Sequence, residues 1–256
     1  MVSITFGFWD IMLVVVVSLQ ATVLAYLYDP KWKALVLNLP FPFTVASLAL
    51  GQPIDATNVL GLSLLLIFTH SVRVFHYKFR LNIILSIILA ASSYCLLGYG
   101  ITVVLPQSET IFWVSSIGTL VIAALLLKIL PHRNEQGHRS PLPVWIKLPA
   151  VSIVVIFLEI AKTILRGFMT VFPMVGVVAA YEARYSLWTI GRQIPVLMLT
   201  TTPMMMIIRL TQSSIGLGSS LALAWAVFAI ILPLVTRLTW SSIDQVQSSA
   251  PLRSGL

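Results

Sequence analysis

The chain has 256 residues, of which 58% are apolar and only 9% charged, against about 45–50% and 25% in a soluble domain. Most of its surface must therefore face something other than water, which excludes an ordinary soluble protein. The net charge of +8 does not point to nucleic acid, because the lysines and arginines sit in short loops between apolar runs, where they set membrane topology.

Read from the amino terminus, the apolar runs predict nine spans: Phe8–Leu27, Ala34–Leu50, Asn58–Phe75, Leu81–Leu105, Ile111–Leu130, Pro149–Leu165, Gly167–Tyr181, Leu187–Ile208 and Ile215–Thr236. A helix needs about 20 apolar residues to cross the hydrocarbon core. The first span is expected to be retained, since it carries Trp9-Asp10 in front instead of lysines and no small-residue cleavage pattern behind. The second contains Leu39-Pro40-Phe41-Pro42-Phe43-Thr44 and the seventh Val171-Phe172-Pro173-Met174. Both are short, and both are broken by proline. Pro131–Leu148, with Pro131, Pro141 and Pro143, is the natural seam between halves. Cys95 lies alone in an apolar run, which leaves no internal disulfide and no cysteine metal cluster.

Loop charge orients the spans. With nine crossings, Lys162, Arg166 and Arg209 face the amino-terminal side, and the remaining 13 of the 16 basic residues face the other. By the positive-inside rule the amino terminus is outside and the carboxyl terminus cytoplasmic. The halves align with an offset of 131 (172 − 41): Phe41-Pro42 falls on Phe172-Pro173, Ala49 on Ala180, Leu66 on Leu197, Thr69 on Thr200 and Lys31 on Lys162. The expected fold is all-α, a polytopic membrane helix bundle of about nine transmembrane helices with inverted four-helix repeats and short Pro-broken helices. Residues 1–105 form the first four-span repeat, 106–148 a connecting span and cytoplasmic loop, 149–236 the second repeat, and 237–256 a Ser-rich, flexible cytoplasmic tail.

The run Ala161-Lys162-Thr163, a spacer, Phe172-Pro173, and Tyr181-Glu182-Ala183-Arg184 resembles the small four-span GlpM-type inner-membrane proteins, which have been linked to polysaccharide production and glycerol metabolism. The resemblance is confined to about a third of the chain, and the first half departs from it at Asp29-Pro30-Lys31. It implies a bacterial inner-membrane setting and a duplicated four-span unit, and no substrate.

Glu159, Lys162, Thr163 and Arg166 fall on one side of a helix, with Glu159 about 15 Å beyond Pro149 and so near the bilayer centre. Charge at that depth is costly unless paired or facing a wet cavity. Two readings stand: a structural Glu159–Lys162 ion pair with Arg166 snorkelling outward, or a proton carrier at Glu159 beside an anion-attracting Lys162 and Arg166. In the eighth span Pro195 and Pro203 remove backbone donors, and Thr200, Thr201 and Thr202 supply hydroxyls that either repair the freed carbonyls or bind a ligand. His70 is either a hydrogen-bonded packing residue or a proton relay. Met204-Met205-Met206 reads as packing rather than a metal site.

No His-Glu-x-x-His, no Gly-rich phosphate loop and no paired intramembrane aspartates occur. The chain is expected to be neither an enzyme nor a cofactor or metal protein, with a membrane-embedded transferase as the minor alternative. Broken helices at matching places in a duplicated bundle are where carriers hold their substrate. The expectation is therefore a carrier of a small or lipid-linked, anionic solute, with Pro42, Phe41, Thr44, Phe172, Pro173, Lys162, Arg166, Thr200 and Thr201 binding it and Glu159 and His70 coupling protons. A non-transporting scaffold for a complex such as polysaccharide synthesis machinery is the rival. The expected partners are the lipid bilayer, that substrate, and a second copy or a membrane-complex subunit.

Overall fold

The computed structural model describes residues 7–131 and 166–249, with single positions between 133 and 156. Among the described residues all regular structure is helical: α1 (Phe8–Tyr26), α2 (Pro30–Leu37), α3 (Phe41–Leu50), α4 (Ala56–Arg73), α5 (Ile83–Val104), α6 (Glu109–Ile129), α7 (Met174–Glu182) and α8 (Leu187–Ser249). A π turn over Val74–Lys78 prolongs α4, and a 3-10 segment, Arg166–Val171, precedes α7. The predicted span Pro149–Leu165 falls almost wholly outside the described residues.

Local chemistry sets the starts. Asp29 Oδ1 accepts from the Lys31 amide at 2.7 Å with Pro30 in the first helical position, and Asp55 Oδ1 accepts from the Thr57 amide at 2.8 Å. Asn82 and Ser108 cap α5 and α6 in the same way. Each satisfies an amide that the helix itself leaves free. Pro40 and Pro42 then separate α2 from α3, because neither can donate back to the carbonyls of Val36 and Asn38.

Among the described residues six helical stretches are long and apolar enough to cross a membrane: Phe8–Tyr26, Pro30–Leu50, Ala56–Lys78, Ile83–Val104, Glu109–Ile129 and Leu187–Arg237; Gly167–Glu182 is a shorter apolar one. α4 packs against α5, α6, α8 and the 3-10 segment, while α1 packs against α3 and α7. α5 and α6 turn large apolar side chains outward, among them Leu96, Val104, Val114 and Ile117. A rim of this kind is stable against lipid and not against water.

The two predicted spans Leu187–Ile208 and Ile215–Thr236 stand in α8 as two helices that meet at a kink at Gly216, at φ 79° and ψ 162°. Only glycine takes that backbone conformation readily. The apolar part of α8 would extend about 76 Å if straight, more than twice a hydrocarbon core of about 30 Å. It doubles back instead. Trp188 Nε1 and Arg192 Nε donate to the Pro131 and Leu130 carbonyls, just beyond α6. Arg209 pairs with Glu109 at the opposite end of α6 and donates to the Ile54 carbonyl. After Gly216, Trp225 returns to meet Thr44 and Phe41 beside the α2/α3 break.

The bundle thus has two chemically different ends. The Arg209 end gathers Ile54, Glu109 and Gln212. The Trp188 end gathers Arg73, Arg133, Glu135 and Arg192, with Tyr77 donating to the Arg184 carbonyl nearby.

Candidate functional site

The two proline breaks meet. Leu37, Leu39, Pro40, Pro42 and Phe43 from the first, and Thr170, Val171, Phe172, Pro173, Val175 and Gly176 from the second, line one cavity that Leu62, Leu65, Leu197 and Thr201 complete. Leu62 and Leu65 lie about 9 and 14 Å along α4 from Ala56, and Leu197 about 15 Å along α8 from Leu187. That places the cavity near mid-depth. Its volume is about 60 Å³, room for a few waters.

Irregular backbone at this depth survives only if its polar groups find partners inside the protein. Three side chains supply them. Gln20 of α1 donates through Nε2 to the carbonyls of Val36 (2.7 Å) and Leu39 (3.1 Å); Val36 is the residue that Pro40 deprives of its helical donor. Asn58 of α4 donates to the Gly167 carbonyl and to Thr170 Oγ1, and Tyr94 of α5 donates to the Phe168 carbonyl at 2.9 Å. Close approach also requires Gly167, since a Cβ there would lie 2.1 Å from Thr57 Oγ1. Phe172 adds an edge contact on the Tyr94 ring, with centroids 5.1 Å apart.

Electrostatics follow from the direction of the short helices. α3 begins at Phe41 and α7 at Met174, so both amino-terminal ends open on the cavity; Pro42 has no amide hydrogen and the Met174 amide donates to the Phe172 carbonyl, while the other first-turn amides, such as those of Phe43, Val175 and Gly176, have no intrahelical acceptor. Each end carries roughly half a positive charge. Thr201 lines the same space, is 2% exposed, and its hydroxyl has no hydrogen-bond partner. Asn38, fully buried at the end of α2, has no partner for either side-chain atom. Unmet groups of this kind are costly in an apolar interior and are expected where a ligand or water completes the set.

Of the residues expected to bind, Pro42, Phe172, Pro173 and Thr201 reach the cavity. Phe41 and Thr44 do not line it: the Phe41 ring lies against Trp225, and Thr44 Oγ1 donates to the Pro40 carbonyl while accepting from Trp225 Nε1. Thr200 donates to the Val196 and Leu197 carbonyls, neither of which is the Leu199 carbonyl freed by Pro203. His70 Nδ1 donates to the Leu66 carbonyl at 3.0 Å and the ring packs on Gly191, away from the cavity. Met204 and Met205 are buried in the core, as packing residues should be. Glu159, Lys162 and Thr163 lie outside the described residues, as does the side chain of Arg166.

Sequence reasoning missed Gln20, Asn58 and Tyr94. It also missed a second buried charged contact, in which Lys33, 1% exposed, donates through Nζ to the carbonyl of Glu182, itself 3% exposed. A polar residue in an otherwise apolar helix was the available signal at Gln20 and Asn58; it becomes specific only once the carbonyls freed by the breaks are assigned acceptors. Among the described residues, no three His, Cys, Asp or Glu side chains are placed to hold a metal.

Apolar helices with outward-facing aliphatic side chains and a polar, proline-broken interior define an integral membrane protein of the multi-pass helical class. No family model, no curated protein and no solved structure matches the chain, so its function is argued from these residues.

Proposed function

We propose that the chain is a carrier moving a small or lipid-linked, anionic solute across the bacterial inner membrane by alternating access, without enzymatic chemistry. The observation that carries this reading is the convergence of two broken helices, one from each half, on one mid-depth cavity with both amino-terminal ends directed at it. Such ends favour negative charge. Thr201 is the side-chain donor, and Lys162 and Arg166 are the candidate cations that attract the solute, with Glu159 as the candidate proton carrier.

A duplicated, inverted architecture of nine crossings supports the same conclusion. At the offset of 131, Leu39 corresponds to Thr170, Pro40 to Val171 and Pro42 to Pro173, and all six line the cavity. Thr69 and Thr200 correspond as well, and each donates to the carbonyls three and four residues before it. Basic residues gather at the Trp188 end, which the positive-inside rule makes cytoplasmic. The resemblance of residues 161–184 to GlpM-type proteins agrees with this setting.

A second reading, a membrane scaffold holding a partner subunit, is favoured by one observation: the cavity is small and lined chiefly by leucine, valine, proline and phenylalanine. Uptake into proteoliposomes across a panel of organic anions, phosphates and neutral solutes, with and without a pH gradient, separates the two. A carrier accumulates at least one solute above protein-free liposomes; a scaffold accumulates none.

A further inference from the structure

At the Trp188 end two guanidinium groups stack on one indole, with Arg73 Cζ 4.5 Å and Arg133 Cζ 4.2 Å from the Trp188 ring. Stacking fixes the plane of an arginine while leaving its N–H edge free. Neither side chain donates a hydrogen bond to a described residue, and Arg73 Nε is buried without a partner. Arg192 stands beside them, its Nε donating to the Leu130 carbonyl. The nearby carboxylate of Glu135 is committed elsewhere: it accepts from the amides of Trp188 (3.3 Å) and Thr189 (2.7 Å) and from the Thr189 hydroxyl (2.8 Å), capping α8.

Among these described residues, three cations and one carboxylate leave an excess of two positive charges, held at the level where the apolar helices end. Tyr77, Tyr181 and Tyr185 are exposed around this rim, as aromatic side chains are at a headgroup layer. Two guanidinium groups beside one indole, with Arg73 Nε unpartnered, each offer the kind of donor fork that takes phosphate oxygens.

We propose that the Arg73–Trp188–Arg133 stack is a phosphate site, occupied by the headgroup of an anionic phospholipid from the leaflet at that end. The site is independent of the central cavity and of whether the protein transports. Basic pockets between transmembrane helices are suited to such headgroups, each cation contributing about a fivefold gain in affinity.

The test uses the full chain in a neutral detergent, titrated with phosphatidylglycerol, with phosphatidylcholine, or with inorganic phosphate, and read by tryptophan fluorescence and by the thermal midpoint. Phosphatidylglycerol should change both in a saturable way and phosphatidylcholine should not. Arg133→Gln, on an exposed side chain, should weaken the apparent affinity about fivefold, and Arg73→Gln should do the same if it folds. Arg237→Gln, on an exposed side chain that makes no contact with Trp188 among those described, should leave the affinity unchanged. Equal responses to phosphatidylglycerol in wild type and Arg133→Gln would overturn the proposal in favour of diffuse charge attraction. An equal response to inorganic phosphate would overturn the lipid assignment.

Discussion

Replacing Gln20 by Leu tests whether the α2/α3 break is a built feature. The side chain is 7% exposed, and leucine keeps most of its volume while removing both donors. Two carbonyls are affected. Val36 keeps a 3.2 Å bond from the Leu39 amide and loses the shorter one, whereas Leu39 loses the donation from Gln20. An acceptor left unmet in an apolar setting costs about 1–3 kcal/mol, and membrane interiors lie toward the lower end. The expected loss is about 2 kcal/mol, one full penalty at Leu39 and a partial one at Val36. On the scaling of soluble domains of this size that lowers the thermal midpoint by about 4–8 °C. Hydrogen exchange should rise over residues 36–44 while α5 and α6 stay protected. Thermal unfolding in detergent with exchange mass spectrometry reads both, and an unchanged midpoint together with unchanged exchange at the break would refute the reasoning.

Gly167→Ala drives a Cβ to within 2.1 Å of Thr57 Oγ1 and 2.8 Å of Asn58 Oδ1, so it should cost about 1–3 kcal/mol, measured by thermal unfolding; Thr57→Ala in the same chain should recover part of it. Gly216→Ala meets no atom within 4 Å yet should destabilise by about 1–3 kcal/mol through backbone strain alone, which a cavity-free fit would not explain otherwise. Pro42→Ala or Pro173→Ala should reduce solute uptake without loss of membrane insertion, and normal uptake in both would reduce the breaks to packing kinks. Single cysteines near Asp55 and Glu109, in a Cys95→Ser background, should label from outside intact cells and one near Asn134 should not; the reverse pattern sinks the nine-span topology.

The helical membrane class and the site of both breaks were legible because prolines and apolar run lengths are local signals. The division of α8 into two helices was legible too, but its kink at Gly216 was not, since the polar stretch around Arg209 and Gln212 looks like a loop until its side chains are seen bonded to Ile54 and Glu109. Lys33 reads as a loop cation in the sequence because distance along the chain hides its meeting with Glu182, 149 positions away. Thr44, Thr200 and His70 carried the right chemistry in the right helices and still missed the cavity. Helix rotation decides which face looks inward, and an all-round apolar helix gives no periodicity from which to read it. Thr201, next to Thr200, is the hydroxyl that does face it.

Access to Thr201 tests the central claim without knowledge of the substrate. In a Cys95→Ser background, Thr201→Cys should react with a small, membrane-impermeant thiol reagent applied from either side of reconstituted vesicles, more slowly than a surface thiol, because the cavity opens alternately to each face. Failure to react from either side, in protein that reacts fully once unfolded, would contradict the carrier account and leave a closed, packed core.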